Sequence, residues 1–193
     1  MRTDPFVDPL QFLTACHGRI RMRLCTFLQA ATRLRAPGSI ERHQLEAALL
    51  FFRSSGEGHN VDEEITLFPR LRPRLQAAGE DEAVALIDRL LAEHEEQNAA
   101  FERMERAMLA IDPSLGTGDG LPDPGAAPIA CGTPAAVELA AALEAVVAEY
   151  EAHIPLEDDV IYPIAAQVMP ADELAEVAKE MRERRRLGRK LLG

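Results

Sequence analysis

The chain has 193 residues, enough for one domain with a single sizeable core. Its 47% hydrophobic and 27% charged content is that of a soluble globular protein, and the lack of Trp suits helices packed through Ala and Leu. A formal charge of −11 argues against nucleic acid or an anionic membrane as partner, because both would repel the molecule at long range.

Residues 1–9 carry acids and prolines where a signal peptide needs an apolar run, and no stretch approaches the length of a membrane span, so a cytoplasmic location is expected. Asp8 and Pro9 read as a helix cap and first turn. Leu10, Leu13, Ile20, Leu24, Phe27, Leu28 and Leu34 then recur at helical spacing until Pro37 and Gly38 stop helix A. Ser39 is placed to cap a second run through Leu45, Leu49 and Phe52, which breaks over residues 54–58. Helix B therefore reads in two pieces, the second starting near His59. Pro69 should kink or end that piece, Pro73 leaves the next residues loosely helical, and Gly79 is a stop.

Helix C is predicted over Asp81–Ile111, with Val84, Ile87, Leu90, Leu91, His94, Phe101, Met104 and Met108 on one stripe. Residues 112–134 are rich in Gly and Pro and read as a flexible surface loop rather than a strand. Ala-rich helix D starts at Pro134, is interrupted near His153, restarts at Pro155 and ends between Pro163 and Met169. A last helix follows over about residues 170–190. From Met181 onward it carries Arg182, Arg184, Arg185, Arg186, Arg189 and Lys190 against Glu183, a local +5 that leaves −16 for the rest. These cations suit the C-terminal end of a helix dipole, with docking to a partner as the other reading.

Without strand-length alternation, the economical architecture is all-α: an antiparallel up-down four-helix bundle with an additional C-terminal helix, in one domain spanning 1–193 and a bundle core over about 8–169. Cys16, Cys25 and Cys131 are scattered and odd in number, which fits reduced thiols.

The chemistry lies in a pattern written twice. His59 is followed by Glu63, Glu64, Phe68 and Pro69, and His153 by Glu157, Asp158, Tyr162 and Pro163, at identical spacing. From this composition one such match arises by chance on the order of once per few thousand chains. On a helix, residues four apart face the same way, so each imidazole converges with its carboxylate. His17 on helix A and His94 on helix C complete a pseudo-symmetric arrangement, one histidine per long helix. Singly, a histidine on an apolar stripe reads as a core residue. Four buried imidazoles with two buried carboxylates are costly without a cation, so the constellation points to a metal pair bridged by carboxylates.

These residues resemble the hemerythrin-like family, the HHE cation-binding domain, whose pattern is His on the first helix, His-x-x-x-Glu on the second, His on the third and His-x-x-x-Glu on the fourth. The resemblance implies His17, His59, His94 and His153 as terminal ligands and Glu63 and Glu157 as bridges between two iron ions, with an oxo bridge as a further expectation. Spacing alone leaves manganese and zinc open. Asn98 stands where oxygen-carrying members have a second histidine on the third helix, which implies open coordination on one ion. Tyr150, three residues before His153, reads as a core tyrosine, with ligation as the alternative. Asp62, Glu64, Glu95, Glu96, Asp158 and Asp159 read as a solvated face or as partners of the ligating histidines, His43 as a surface residue and Cys16 as core.

Glu-x-x-His, HExxH, GxxxxGK[ST] and GxSxG are all absent, which removes ferritin-like, zincin, nucleotide-loop and serine-hydrolase readings. The resulting expectation is a di-iron protein that binds or reacts with oxygen, peroxide or nitric oxide in stress handling, served by a redox donor or protein partner. Two alternatives stand beside it: an iron-responsive sensor or interaction module without turnover, and an iron donor in iron–sulfur cluster repair.

Overall fold

The structure, a computed structural model, describes residues 7–53, 57–112 and 127–191, with the side chains of 44, 57 and 186–191 outside the described set. It is all-α in class, with a single two-stranded pairing among the described residues. The helices are α1 (Pro9–Leu34), α2 (Arg42–Phe51), α3 (Glu57–Val61), α4 (Phe68–Ala78), α5 (Asp81–Ile111), α6 (Pro134–Leu156), α7 (Tyr162–Val168) and α8 (Ala171–Leu191). Two π-helical segments, Asp62–Leu67 and Glu157–Ile161, join α3 to α4 and α6 to α7.

Several boundaries follow from local chemistry. Asp8 caps α1, its carboxylate accepting the Leu10 and Gln11 amides at 3.1 and 3.0 Å. Gly79 ends α4 at φ 74, the left-handed conformation a C-cap glycine adopts at least cost. Helix α5 spans the residues predicted for helix C, and α8 opens after Pro170 as expected.

Other boundaries differ from the sequence reading. Ser39 caps no helix: Gly38–Ile40 forms β1, antiparallel to β2 (Ile129–Cys131), with Ser39 opposite Ala130. The end of the predicted loop thus contains a strand, while its residues 113–126 lie outside the described residues, as do 54–56 at the expected break in helix B. Pro69 does not end the helix: it sits in the first turn of α4, directly after the π-helical segment, whose widened bonding takes up its missing N–H. Pro73 is likewise tolerated inside regular α4, and α6 runs unbroken through Pro155.

The described residues group into two compact units, Met1–Gly18 with Glu57–Ala92 and His153–Gly193, and Arg19–Gly56 with Glu93–Ala152. The first has a core of Leu13, Leu71, Leu75, Ile87 and Leu90, to which α8 adds Val177 and Met181. The second is centred on aromatic rings: Phe27 stacks 5.2 Å from Phe52, which lies tilted at 4.8 Å from Phe101 and 5.6 Å from Tyr150. Phe27 is fully buried. Phe27→Ala is expected to cost roughly 3–5 kcal/mol through lost transfer energy and a residual cavity. Urea titration followed by circular dichroism checks this, and a loss below about 1 kcal/mol would mean the ring is not a core element.

Candidate metal centre

The site belongs to the first unit. Its geometry begins with the repeat, because each His-x-x-x-Glu pair straddles the entry into a π-helical segment. His59 lies in α3 and Glu63 in the first segment; His153 lies in α6 and Glu157 opens the second. In both, the carbonyl of the glutamate accepts a bond from the amide five residues on, Phe68 in one and Tyr162 in the other. The proline that follows has no N–H, so the aromatic residue is the last donor before it and the ladder widens by one residue. The aromatic-Pro ending of the motif is therefore the local code for a π-turn under each glutamate.

Both pairs converge. His59 Nε2 lies 3.4 Å from Glu63 Oε2 and His153 Nε2 lies 2.9 Å from Glu157 Oε1. His17, from α1, brings its Nε2 to 2.8 Å from His59 Nε2 and 3.1 Å from Glu157 Oε2. Donor atoms of His17, His59, Glu63 and Glu157 all lie within 4.8 Å of one another, and all four residues are buried. His153 joins them through Glu157. His94 is buried on the stretch of α5 that belongs to the second unit.

Surrounding groups orient this set. Asp158 Oδ1 lies 2.8 Å from His17 Nδ1, the partnership expected of a ligating histidine. With Nδ1–H donating to Asp158, the Nε2 lone pair faces the cluster. Tyr162 donates its hydroxyl to Glu63 and stacks on His17 with ring centroids 5.6 Å apart. Burial, then the charges of Glu157 and Glu63, push the Tyr162 phenol well above its ordinary value of 10.0, so it acts as a donor. Burial first and the Glu157 charge second lift the Glu63 carboxyl well above 4.5. Burial disfavours charge on His17, but the hydrogen bonds and charges of Asp158 and Glu157 outweigh it and raise the imidazole above 6.5.

The donor set fits a metal. Two carboxylates and two imidazoles share a buried space a few ångströms across, and without a cation the second carboxylate ionises only against the field of the first. Mixed nitrogen and oxygen donors suit iron, manganese and zinc.

The remaining residues named from sequence distribute differently. Tyr150 is buried among Phe52 and Phe101 in the second unit, as a core tyrosine. Asn98 is exposed on α5, and the buried polar residue after His94 is Gln97, which the sequence reading passed over. Asp62, expected on a solvated face or beside a histidine, is buried and held by Arg184 and Arg185 of α8. These arginines therefore do more than complement a helix dipole; Arg186, Arg189 and Lys190 have side chains outside the described residues. The Tyr162 contact was missed because only the aromatic spacing, and not its hydroxyl, entered the motif. Cys16 is buried as expected, and His43 is partly exposed near Glu41.

Helices that converge imidazoles and carboxylates on one buried point define a metal-binding helical protein. The model of the hemerythrin HHE cation binding domain matches residues 8–123, more than half of the chain, and the chain belongs to that family. The matched span includes His17, His59, Glu63 and His94, while His153 and Glu157 lie beyond it. Comparison with curated proteins and with solved structures finds no match. No described helix is long and apolar enough to cross a membrane.

Tyr162→Phe keeps the ring on His17 and removes the donor to Glu63. It is expected to weaken metal binding roughly tenfold, the usual scale for a group that orients a ligand. Competition with a chromophoric chelator measures this, and an unchanged affinity would show that the hydroxyl does not hold Glu63 in its binding position.

Proposed function

We propose that this protein holds two iron ions and binds or reacts with a small ligand such as oxygen, peroxide or nitric oxide. The observation that supports this best is the buried convergence of His17, His59, Glu63 and Glu157 within 4.8 Å. In this reading Glu63 and Glu157 would be held in common by the two ions and His17, His59, His94 and His153 would supply one imidazole each, His94 being assigned from its place in the sequence pattern.

Bound iron would supply one-electron redox chemistry and open positions for the ligand. The chain supplies the rest. Asp158 fixes the His17 ring through Nδ1, Tyr162 holds one Glu63 oxygen by donating to it, and the buried surroundings exclude bulk water. Asn98, exposed and away from the buried face of α5, adds no imidazole, which favours an open position over a fully ligated pair. The test is the visible and near-ultraviolet absorption of reduced, iron-loaded protein before and after each ligand. A spectral change with at least one of the three is expected; none with any of them overturns the reactive reading.

A sensing role without turnover is favoured by one feature, the direct grip of α8 on Asp62 beside Glu63. That role predicts ligand binding with no consumption of the ligand on repeated addition.

A further inference from the structure

The two copies of the motif differ at several buried positions, and at one of them the first copy alone carries a charge. Three residues after His153 stands Leu156, and three residues after His59 stands Asp62, which is fully buried and immediately precedes Glu63. A second acid there is not required by the repeat. Its partners come from α8. Arg184 Nη1 donates to Asp62 Oδ1, and Arg185 donates to Oδ2 through Nε at 3.1 Å and Nη2 at 2.8 Å. Arg184 also reaches Thr66 Oγ1 at 2.7 Å, so the two guanidinium groups clasp both ends of the π-helical segment that carries Glu63.

The clasp extends to the residue before His59. A Cβ at Gly58 would lie 3.2 Å from Arg185 Nη1, so the close approach of that guanidinium requires glycine or a shift of the arginine. Arg185 also lies over the Phe12 ring at 5.6 Å, which fixes its plane from the α1 side. Adjacent carboxylates are both hard oxygen donors, and a metal beside Glu63 does not by itself discriminate against Asp62. Bidentate guanidinium contacts impose that discrimination, because they occupy both Asp62 oxygens in fixed directions.

We infer that Arg184 and Arg185 are positioning residues for the metal centre: from α8 they hold Asp62 out of the ligand set and fix the turn that presents His59 and Glu63. This rests on the metal-binding reading above. By linkage, whatever stabilises the ligand turn also stabilises the docking of α8, so metal occupancy and α8 docking are coupled in both directions.

The test measures ferrous iron affinity by chelator competition in three full-length proteins: the parent, R184Q/R185Q, and E173Q/E180Q. The last removes the ion pairs of α8 to Arg74 and Arg70 and leaves Asp62 clasped. The expected result is a fall of about 10- to 100-fold in R184Q/R185Q and a change within about twofold in E173Q/E180Q. Equal losses in both would reduce α8 to a general support and overturn the inference, as would parent-like affinity in R184Q/R185Q. A parent that retains no iron would instead overturn the metal-binding reading and this inference with it.

Should R184Q/R185Q fail to fold, hydrogen exchange of the parent decides the matter. Chelation is expected to accelerate exchange in residues 176–185 as well as 57–68, by roughly tenfold or more. Acceleration confined to 57–68 would overturn the coupling.

Discussion

Glu157→Ala should keep its helices and lose its metal. Glu157 lies at 3.1 Å from His17 and 2.9 Å from His153, so it is within reach of an imidazole from α1 and one from α6. Removal of a group that merely orients a ligand lowers metal affinity 10- to 100-fold, and removal of a shared ligand is expected to exceed about 100-fold. The metal-free fold should not suffer equally. With Glu157 gone, burial still lifts the Glu63 carboxyl but the charge that adds to it disappears, and a buried like-charge pair becomes a single carboxylate hydrogen-bonded by Tyr162. Metal content after desalting and thermal melting of the chelated forms check both halves. The expected pairing is a near-empty variant whose melting temperature, when compared metal-free, is equal to or above the parent's. A variant that retains the parent's metal, or one that melts far lower without metal, would contradict the assignment of Glu157 as a ligand.

Chelation of the parent is expected to lower its melting temperature steeply. A ligand bound only by the native state stabilises it by about 4 kcal/mol when its free concentration is a thousand times its Kd. For a chain of this size that corresponds to roughly 8–16 °C in melting temperature. The effect should also depend on pH in a set direction. In the metal-free fold both Glu63 and His17 have pKa values raised above their ordinary 4.5 and 6.5. The folded chain thus binds these protons more tightly than the unfolded chain, so their contribution is fully present below the ordinary values and is lost as pH rises through the raised ones. Metal displaces the same protons, so its affinity rises over the same interval. The gap between loaded and chelated melting temperatures should therefore widen from about pH 5 to pH 8. Differential scanning calorimetry across that range measures it, and a gap that narrows with pH would show that binding does not displace protons from these groups.

The convergence of imidazole and carboxylate was legible in the sequence because it depends only on residues four apart within one helix. The helical class, the cap at Asp8, the stop at Gly79 and the span of α5 were legible for the same local reason. What could not be read was set by distant partners. Ser39 has the chemistry of an N-cap, but pairing of Gly38–Ile40 with Ile129–Cys131 claims its backbone for a strand. Asp62 looks like one more surface acid until residues more than a hundred positions later close on it. Pro69 reads as a breaker in the sequence because its place in a first turn depends on the π-turn before it, and that turn is set by the bond from Phe68 to Glu63. Asn98 is exposed and Gln97 buried, a choice between neighbouring positions that a stripe of apolar residues leaves undetermined.

The paired His-x-x-x-Glu motifs are proposed to hold two irons in one buried centre. The most direct test is iron per chain in protein loaded anaerobically with ferrous iron and desalted, measured alongside His59→Ala. Two irons per chain are expected in the parent and at most one in the variant. A parent that retains none, or a variant that retains as much as the parent, would contradict the proposal.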